Sequence, residues 1–188
     1  MPKHSIKIEE IGGTTLESAG GFSHVDILVA PVDNFDVIGE LPPIEGDGVL
    51  ATTAAAAATI STDHTFKAGF GFAKFRAEQD KNGLESPLIG DSKVHENKLT
   101  VMVKGTDADV LGNLRLLKNE KLIVLAREAH SGRYRQIGSA RYAAEIIEAT
   151  PTVAPEFEGA NTVTFVIRDK SVVAAPIYTG AITTQPVV

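Results

Sequence analysis

The sequence contains no cysteine, which excludes disulfide staples, thiol nucleophiles and zinc sites built on thiolate. Long apolar runs are missing too. Stretches such as Ala54–Ala58 fall far short of the roughly 20 residues a helix needs to cross a bilayer, so no membrane partner is expected. The first residues, MPKHSIKIEEIGG, lack an apolar core segment, which reads against a secretory signal. Basic clusters are also absent: 18 Lys and Arg stand against 24 Asp and Glu, for a net charge of −6. Wrapping a nucleic acid by neutralising phosphates needs clustered cations. Passive contact with DNA is a different matter, because a surface that lets DNA slide past would avoid such clusters. The 188 residues suffice for one well-buried domain with an appended arm, not for two.

What is present is organised around KLIVLAREAHSGRYRQIGSARYAAEII, Lys121 to Ile147. Leu122, Val124 and Ala126 alternate with Ile123, Leu125 and Arg127, so the first arm of a hairpin is expected to be buried on both faces at its start and half-exposed later. His130-Ser131-Gly132-Arg133 supplies the turn, with Gly132 free to take positive φ. The apolar alternation slips at Ile137-Gly138, which suggests a β-bulge. Before this hairpin, Val110, Leu111, Leu114 and Leu117 form one helical stripe. Thr106 is the expected cap, Asp107 and Asp109 suit the positive end of the dipole, and Asn119 is the expected stop.

Residues 1–21 hold two glycine pairs around isolated isoleucines and read as an arm that is ordered only by docking. Phe22 to Val32 reads as a strand closed by Pro31, followed by a turn at Asp33-Asn34 and a short piece, Phe35 to Ile38. A proline and glycine loop runs from Glu40 to Gly48. Within Val49–Ser61 the alanines favour helix, but Thr52, Thr53, Thr59 and Ile60 favour an extended chain, which is the expectation here. Its small residues suit close approach by another chain, so 40–62 reads as an arm laid on a neighbouring subunit. Phe66 to Glu78 carries half of the chain's 8 phenylalanines. Each buries about 150–250 Å², so this strand is expected to dominate the core. Asp80 to Gly83 is a turn and Val94 to Lys104 a strand with Leu99, Val101 and Val103 inward. Thr150–Gly159 reads as a loop, and Val163, Phe165 and Ile167 mark the clearest strand. Arg168 to Ser171 reads as a turn before a last strand, Val172 to Tyr178, and the tail 181–188 is expected to dock on a partner. About seven to nine strands and one helix, without βα alternation, predict a mainly β fold: an antiparallel β-sandwich or barrel with one flanking α-helix and extended arms.

No catalytic, cofactor-binding or metal-binding residue is assigned, and no enzyme is expected. His4, His24, His64, His95 and His130 never fall at ligand spacing, and each reads as a solvated residue in a turn or at a strand end. Asp107 with Asp109, and Glu45-Gly46-Asp47-Gly48, lack a full calcium ligand series. Gly69-Phe70-Gly71-Phe72 lacks the third glycine and following helix of a phosphate cradle. Ser131 beside His130 has no nucleophile elbow. Cations interleaved with phenylalanine between Lys67 and Arg76 are explained by a core face and a solvated face rather than by base stacking.

The order of these pieces resembles tail tube proteins of long-tailed bacteriophages. The resemblance rests on GFGFAKF, the LIGD turn from Leu88 to Asp91, KLTVMV, the helix, the hairpin KLIVLARE ending in RQIGS, and TVTFVIR, and covers roughly residues 22 to 180. It implies a β domain over 22–180 that closes hexameric rings. By the same resemblance the rings would stack into a hollow tube in the virion tail, assembled in the host cytoplasm. The same fold serves type VI secretion tubes. Sheets of neighbouring subunits would join edge to edge around the lumen, and the 40–62 loop and the termini would clamp adjacent rings. The implied partners are further copies of the chain, other tail proteins, and viral DNA passing without sequence-specific binding. Long exposed strand edges endanger a monomer but are paired in a closed ring. Two other readings are carried beside it: a head-tail joining or capsid decoration protein, and a small-ligand-binding β-barrel whose signature would be an apolar pocket with convergent polar groups.

Overall fold

The computed structural model describes residues 21–156 and 159–186. In chain order the strands are β1 Phe22–Pro31, β2 Phe35–Val37, β3 Thr59–Ile60, β4 Thr65–Phe66, β5 Ala73–Phe75, β6 Gly83–Glu85, β7 Leu88–Ile89 and β8 Val94–Lys104. Helix α1, Ala108–Leu117, comes next, and the chain continues through β9 Leu122–Glu128, β10 Tyr134–Ile137, β11 Glu145–Thr152, β12 Thr162–Ser171 and β13 Ile177–Tyr178. The first sheet runs β3-β13-β10-β9-β1-β5, the second β11-β12-β8-β6 with β7 also on β8, and β2 pairs with β4. Among the described residues these strands pair antiparallel except β13 with β3, and an isolated parallel bridge joins Phe72 to Thr184. The fold is therefore a β-sandwich with one helix, as expected.

Strand alternation puts one side chain set of each sheet between the layers. Ile27, Val29, Leu122, Val124, Ala126 and Ile137 from the first sheet meet Leu99, Val101, Val163, Phe165 and Ile167 from the second. Helix α1 adds Val110, Leu114 and Leu117 to the margin of this core, while Leu111 and Leu116 are exposed. The first sheet is covered on its other face as well, where Leu28, Ala30, Ile123 and Leu125 pack under Phe35, Ile60, Phe72 and Tyr178. Double burial explains why β1 and β9 read as near-continuous apolar runs, and β9 opens up only at Arg127 and Glu128, as its sequence indicates.

Several expectations fail for local physical reasons. The phenylalanine stretch is not one strand: Phe70 donates its amide to Lys67 O in a turn, and Gly69 has φ +86°. Phe66 and Phe72 join the outer cluster, Phe75 meets Phe165 across the core, and Phe70 is 47% exposed. A Cβ on Gly71 would lie 2.5 Å from Gln185 N, so that glycine admits the C-terminal segment beside Phe72. The Phe72 amide donates to Thr183 O there, and the Gln185 amide donates to Phe72 O. The described part of the tail thus docks on its own chain. The alanine run within 49–61 is not extended either, although Thr59–Ile60 after it form β3. The Thr53 hydroxyl accepts from Ala56 N, and the Thr59 hydroxyl donates to Ala55 O, closing a compact turn with a short 3-10 segment at Ala56–Ala58; local side-chain bonds to the backbone win.

Asp107, not Thr106, caps α1, its carboxylate accepting from Val110 N at 3.0 Å. The helix ends at Leu117, with Lys118 as C-cap ahead of Asn119. Gly138 (φ +98°) ends β10 without a bulge; its amide turns away to Asp169. The last strand shrinks to Ile177–Tyr178. Pro151 lies inside β11, and this is tolerated because β11 is an edge strand. The supposed turn at Arg168–Ser171 is the continuation of β12.

Candidate functional site

The two sheets differ in what they leave open. Pairing places Glu96, Lys98, Thr100, Met102 and Lys104 of β8 beside Thr162, Thr164, Val166, Arg168 and Lys170 of β12, on the face turned away from the core. Beyond β12, β11 adds Glu145, Glu148, Thr150 and Thr152, and β6 adds Glu85. Its carboxylates, Glu85, Glu96, Glu145 and Glu148, equal in number its cations, Lys98, Lys104, Arg168 and Lys170.

Four of these charges, Glu96, Lys98, Glu145 and Arg168, are engaged in ion pairs. Arg168 Nη2 donates to Glu145 Oε1 at 2.7 Å and Arg168 Nη1 lies 3.8 Å from Glu96. Lys98 Nζ reaches Glu96 at 3.0 Å, and Lys121, the residue before β9, reaches Glu145 at 3.2 Å. Glu145 is held below the usual carboxylate range by its bonds to Arg168 and Lys121, and Glu96 by its bond to Lys98. Pairs of this kind near the surface add little stability. Their larger effect is on the potential, because a cation already neutralised displaces fewer counterions from a phosphate backbone.

The same sheet has an open border. β11 has β12 as its partner and no further strand beyond it among the described residues, so the main-chain groups of alternate residues along this eight-residue strand face away from the sheet. A bulge between Ile146 and Glu148 leaves Ile147 43% exposed. Beyond the strand Val153 is 69% exposed. Glu145, Glu148 and Pro151 blunt this edge, as edge strands require.

At one end of the sandwich a half-open groove of about 820 Å³ lies between the 40–48 loop and the ends of β10 and β12. Its apolar lining includes Leu41, Pro42, Pro43 and Val172, and Gln136 and Asp169 sit at its floor. Both buried polar groups are satisfied within the chain. Asp169 accepts from Asn97 Nδ2 and from Gly138 N, each at 2.7 Å, tying the second sheet to the first; burial pushes its carboxyl up while these two bonds pull the other way. Gln136 joins His64 Nε2 at 3.0 Å and donates to Gly138 O. The 40–62 loop packs onto its own domain, with Leu41 and Ile60 in the outer cluster and β3 paired with β13.

The expectation of solvated histidines is corrected at His64, which is 3% exposed. Its ring stacks on Tyr178 at 4.4 Å, and Nδ1 accepts from Gly39 N, so the proton resides on Nε2, facing Gln136. Burial holds the ring below its usual value, against the opposing effects of Gln136 and Asp63. His95 bonds Ser86 O from β8 and His130 is exposed on the hairpin turn. His4 and the His24 side chain lie outside the described residues. Asp107 is a helix cap, and Asp109 sits in the first turn. Glu45 and Asp47 are exposed in the loop. The Ser131 hydroxyl donates to the Glu128 carboxylate.

No family model, curated protein or solved structure matches the chain. Among the described residues no helix is long and apolar enough to cross a membrane.

Proposed function

We propose that this chain is a structural subunit that assembles with copies of itself into rings stacked as a tube, of the kind found in the tails of long-tailed bacteriophages. The observation that carries the reading is the second sheet, with its eight-residue open edge at β11 and an outer face whose carboxylates and cations balance. Joined edge to edge around a closed ring, such sheets leave no unpaired border. The face they turn inward is studded with Thr100, Thr150, Thr152, Thr162 and Thr164 and carries cations held by Glu96 and Glu145. A polyanion would slide along that lining without being gripped.

Negative-stain imaging of the purified chain across a concentration series tests the reading. Rings or tubes with an axial channel are expected, and a monodisperse monomer at the highest concentration contradicts it. A single ring that never stacks would instead favour a head-tail joining piece.

A further inference from the structure

Asn82 is the chain's asparagine that precedes a glycine; Asn34, Asn97, Asn113, Asn119 and Asn161 precede residues with side chains. Asparagine converts to aspartate when the following backbone nitrogen attacks the side-chain carbonyl carbon. A C–N bond closes a succinimide ring, ammonia leaves, and water then opens the ring to aspartate or isoaspartate. The attacking nitrogen is least shielded when it belongs to glycine, which has no Cβ.

The fold uses this asparagine as a piece of backbone. Ala77 bridges Val103 and Glu78 donates its amide to Met102 O, after which the chain loops away and rejoins β8 at Gly83, opposite Thr100. The Asn82 carboxamide fills the gap. Its Oδ1 accepts from Met102 N at 3.1 Å and its Nδ2 donates to Glu78 O at 2.7 Å. With both ends pinned, the carbonyl carbon cannot swing towards the Gly83 nitrogen. β6, however, is a three-residue edge strand with Gly83 and Glu85 exposed, and short edges of this kind open locally without global unfolding.

We infer that Asn82-Gly83 is a self-modification site whose deamidation is gated by opening of the β6 edge. The reaction does not reverse. In the aspartate product an acceptor oxygen replaces the donor nitrogen and faces the Glu78 carbonyl at the same short distance. In isoaspartate an added main-chain methylene displaces the Gly83–Thr100 pairing. Either product releases β6 from β8.

The intact chain, incubated at mildly alkaline pH and mapped by peptide mass spectrometry with separation of isoaspartate, tests this. Asn82 is expected to convert before every other asparagine in the described residues, and faster in denaturant than in the native protein, the ratio reporting the opening equilibrium. Gly83→Ala, whose Cβ meets no atom within 4 Å, is expected to fold normally and slow conversion on the order of tenfold or more by shielding the nitrogen. Asn82→Asp, a mimic of the product, is expected to speed amide exchange across 83–85. The inference is overturned if another asparagine converts first, if Gly83→Ala leaves the rate unchanged, or if native and unfolded rates coincide.

Discussion

The first sheet is buried on both faces and the second on only one, and the contrast separates what makes this chain fold from what it offers to others. Leu122 to Ala126 have essentially no exposed surface. Residues from distant parts of the chain, Phe35 of β2, Phe66 of β4 and Phe72 ahead of β5, complete the cover. The second sheet spends Leu99, Val101, Val163, Phe165 and Ile167 on the shared core and gives its other face to threonine and paired charge. A sheet sealed on both sides stabilises the monomer. One left open at a face and an edge is suited to carry assembly.

The contrast is broken most severely inside the first sheet. Leu125→Ala is expected to cost about 2–5 kcal/mol in urea unfolding, because the outer cluster cannot collapse around the lost volume. Thr164→Ala, on the open face of the second sheet, is expected to stay within about 0.5 kcal/mol. Equal losses at the two positions would show that the open face is buried in the isolated chain.

Acid tests the polar knot beneath the first sheet. The folded-state value of His64 is depressed below 6.5, so the unfolded chain binds the proton more readily. The stability the neutral ring contributes is complete above 6.5 and is lost as pH falls through the folded-state value. Unfolding free energy is expected to decline as pH drops below 6.5, and His64→Leu to flatten that decline. His64→Leu also lowers stability throughout, since Gly39 N and Gln136 lose their partner.

Smaller effects on the monomer are expected at the second sheet. Ile147→Lys places a charge on the β11 edge and is expected to abolish assembly in sedimentation while shifting monomer unfolding by about 0.5 kcal/mol or less. Glu145→Gln frees both Arg168, at 2.7 Å, and Lys121, at 3.2 Å, from their shared carboxylate. The logarithmic salt dependence of DNA retention is then expected to steepen by about one to two units. An unchanged dependence would mean that the pairing does not mask these cations.

Much of the sandwich was legible because strand alternation carries through β8, β12 and the first arm of the β9–β10 hairpin. Failures cluster where partners distant in sequence decide. Arg168-Asp169-Lys170-Ser171 has a turn's composition, yet Asn97 and Gly138 satisfy Asp169 and hold it in a strand. His64 reads as a surface residue until Tyr178 and Gln136, from β13 and β10, are brought to it. β11 was concealed by Pro151, which a central strand excludes and an edge strand admits. The balanced outer face was latent in the alternating Glu, Lys, Thr and Arg of β8 and β12. Its ion pairs depend on register, which single strands do not disclose.

Amide hydrogen exchange along Glu145–Thr152 addresses the central claim most directly, measured on the dilute chain and on the same chain at assembling concentration. Fast exchange of the outward β11 amides when dilute, and strong protection on assembly while β9 stays protected throughout, is the predicted result. Protection of β11 that is already complete in the dilute chain, or that does not change on assembly, would contradict it.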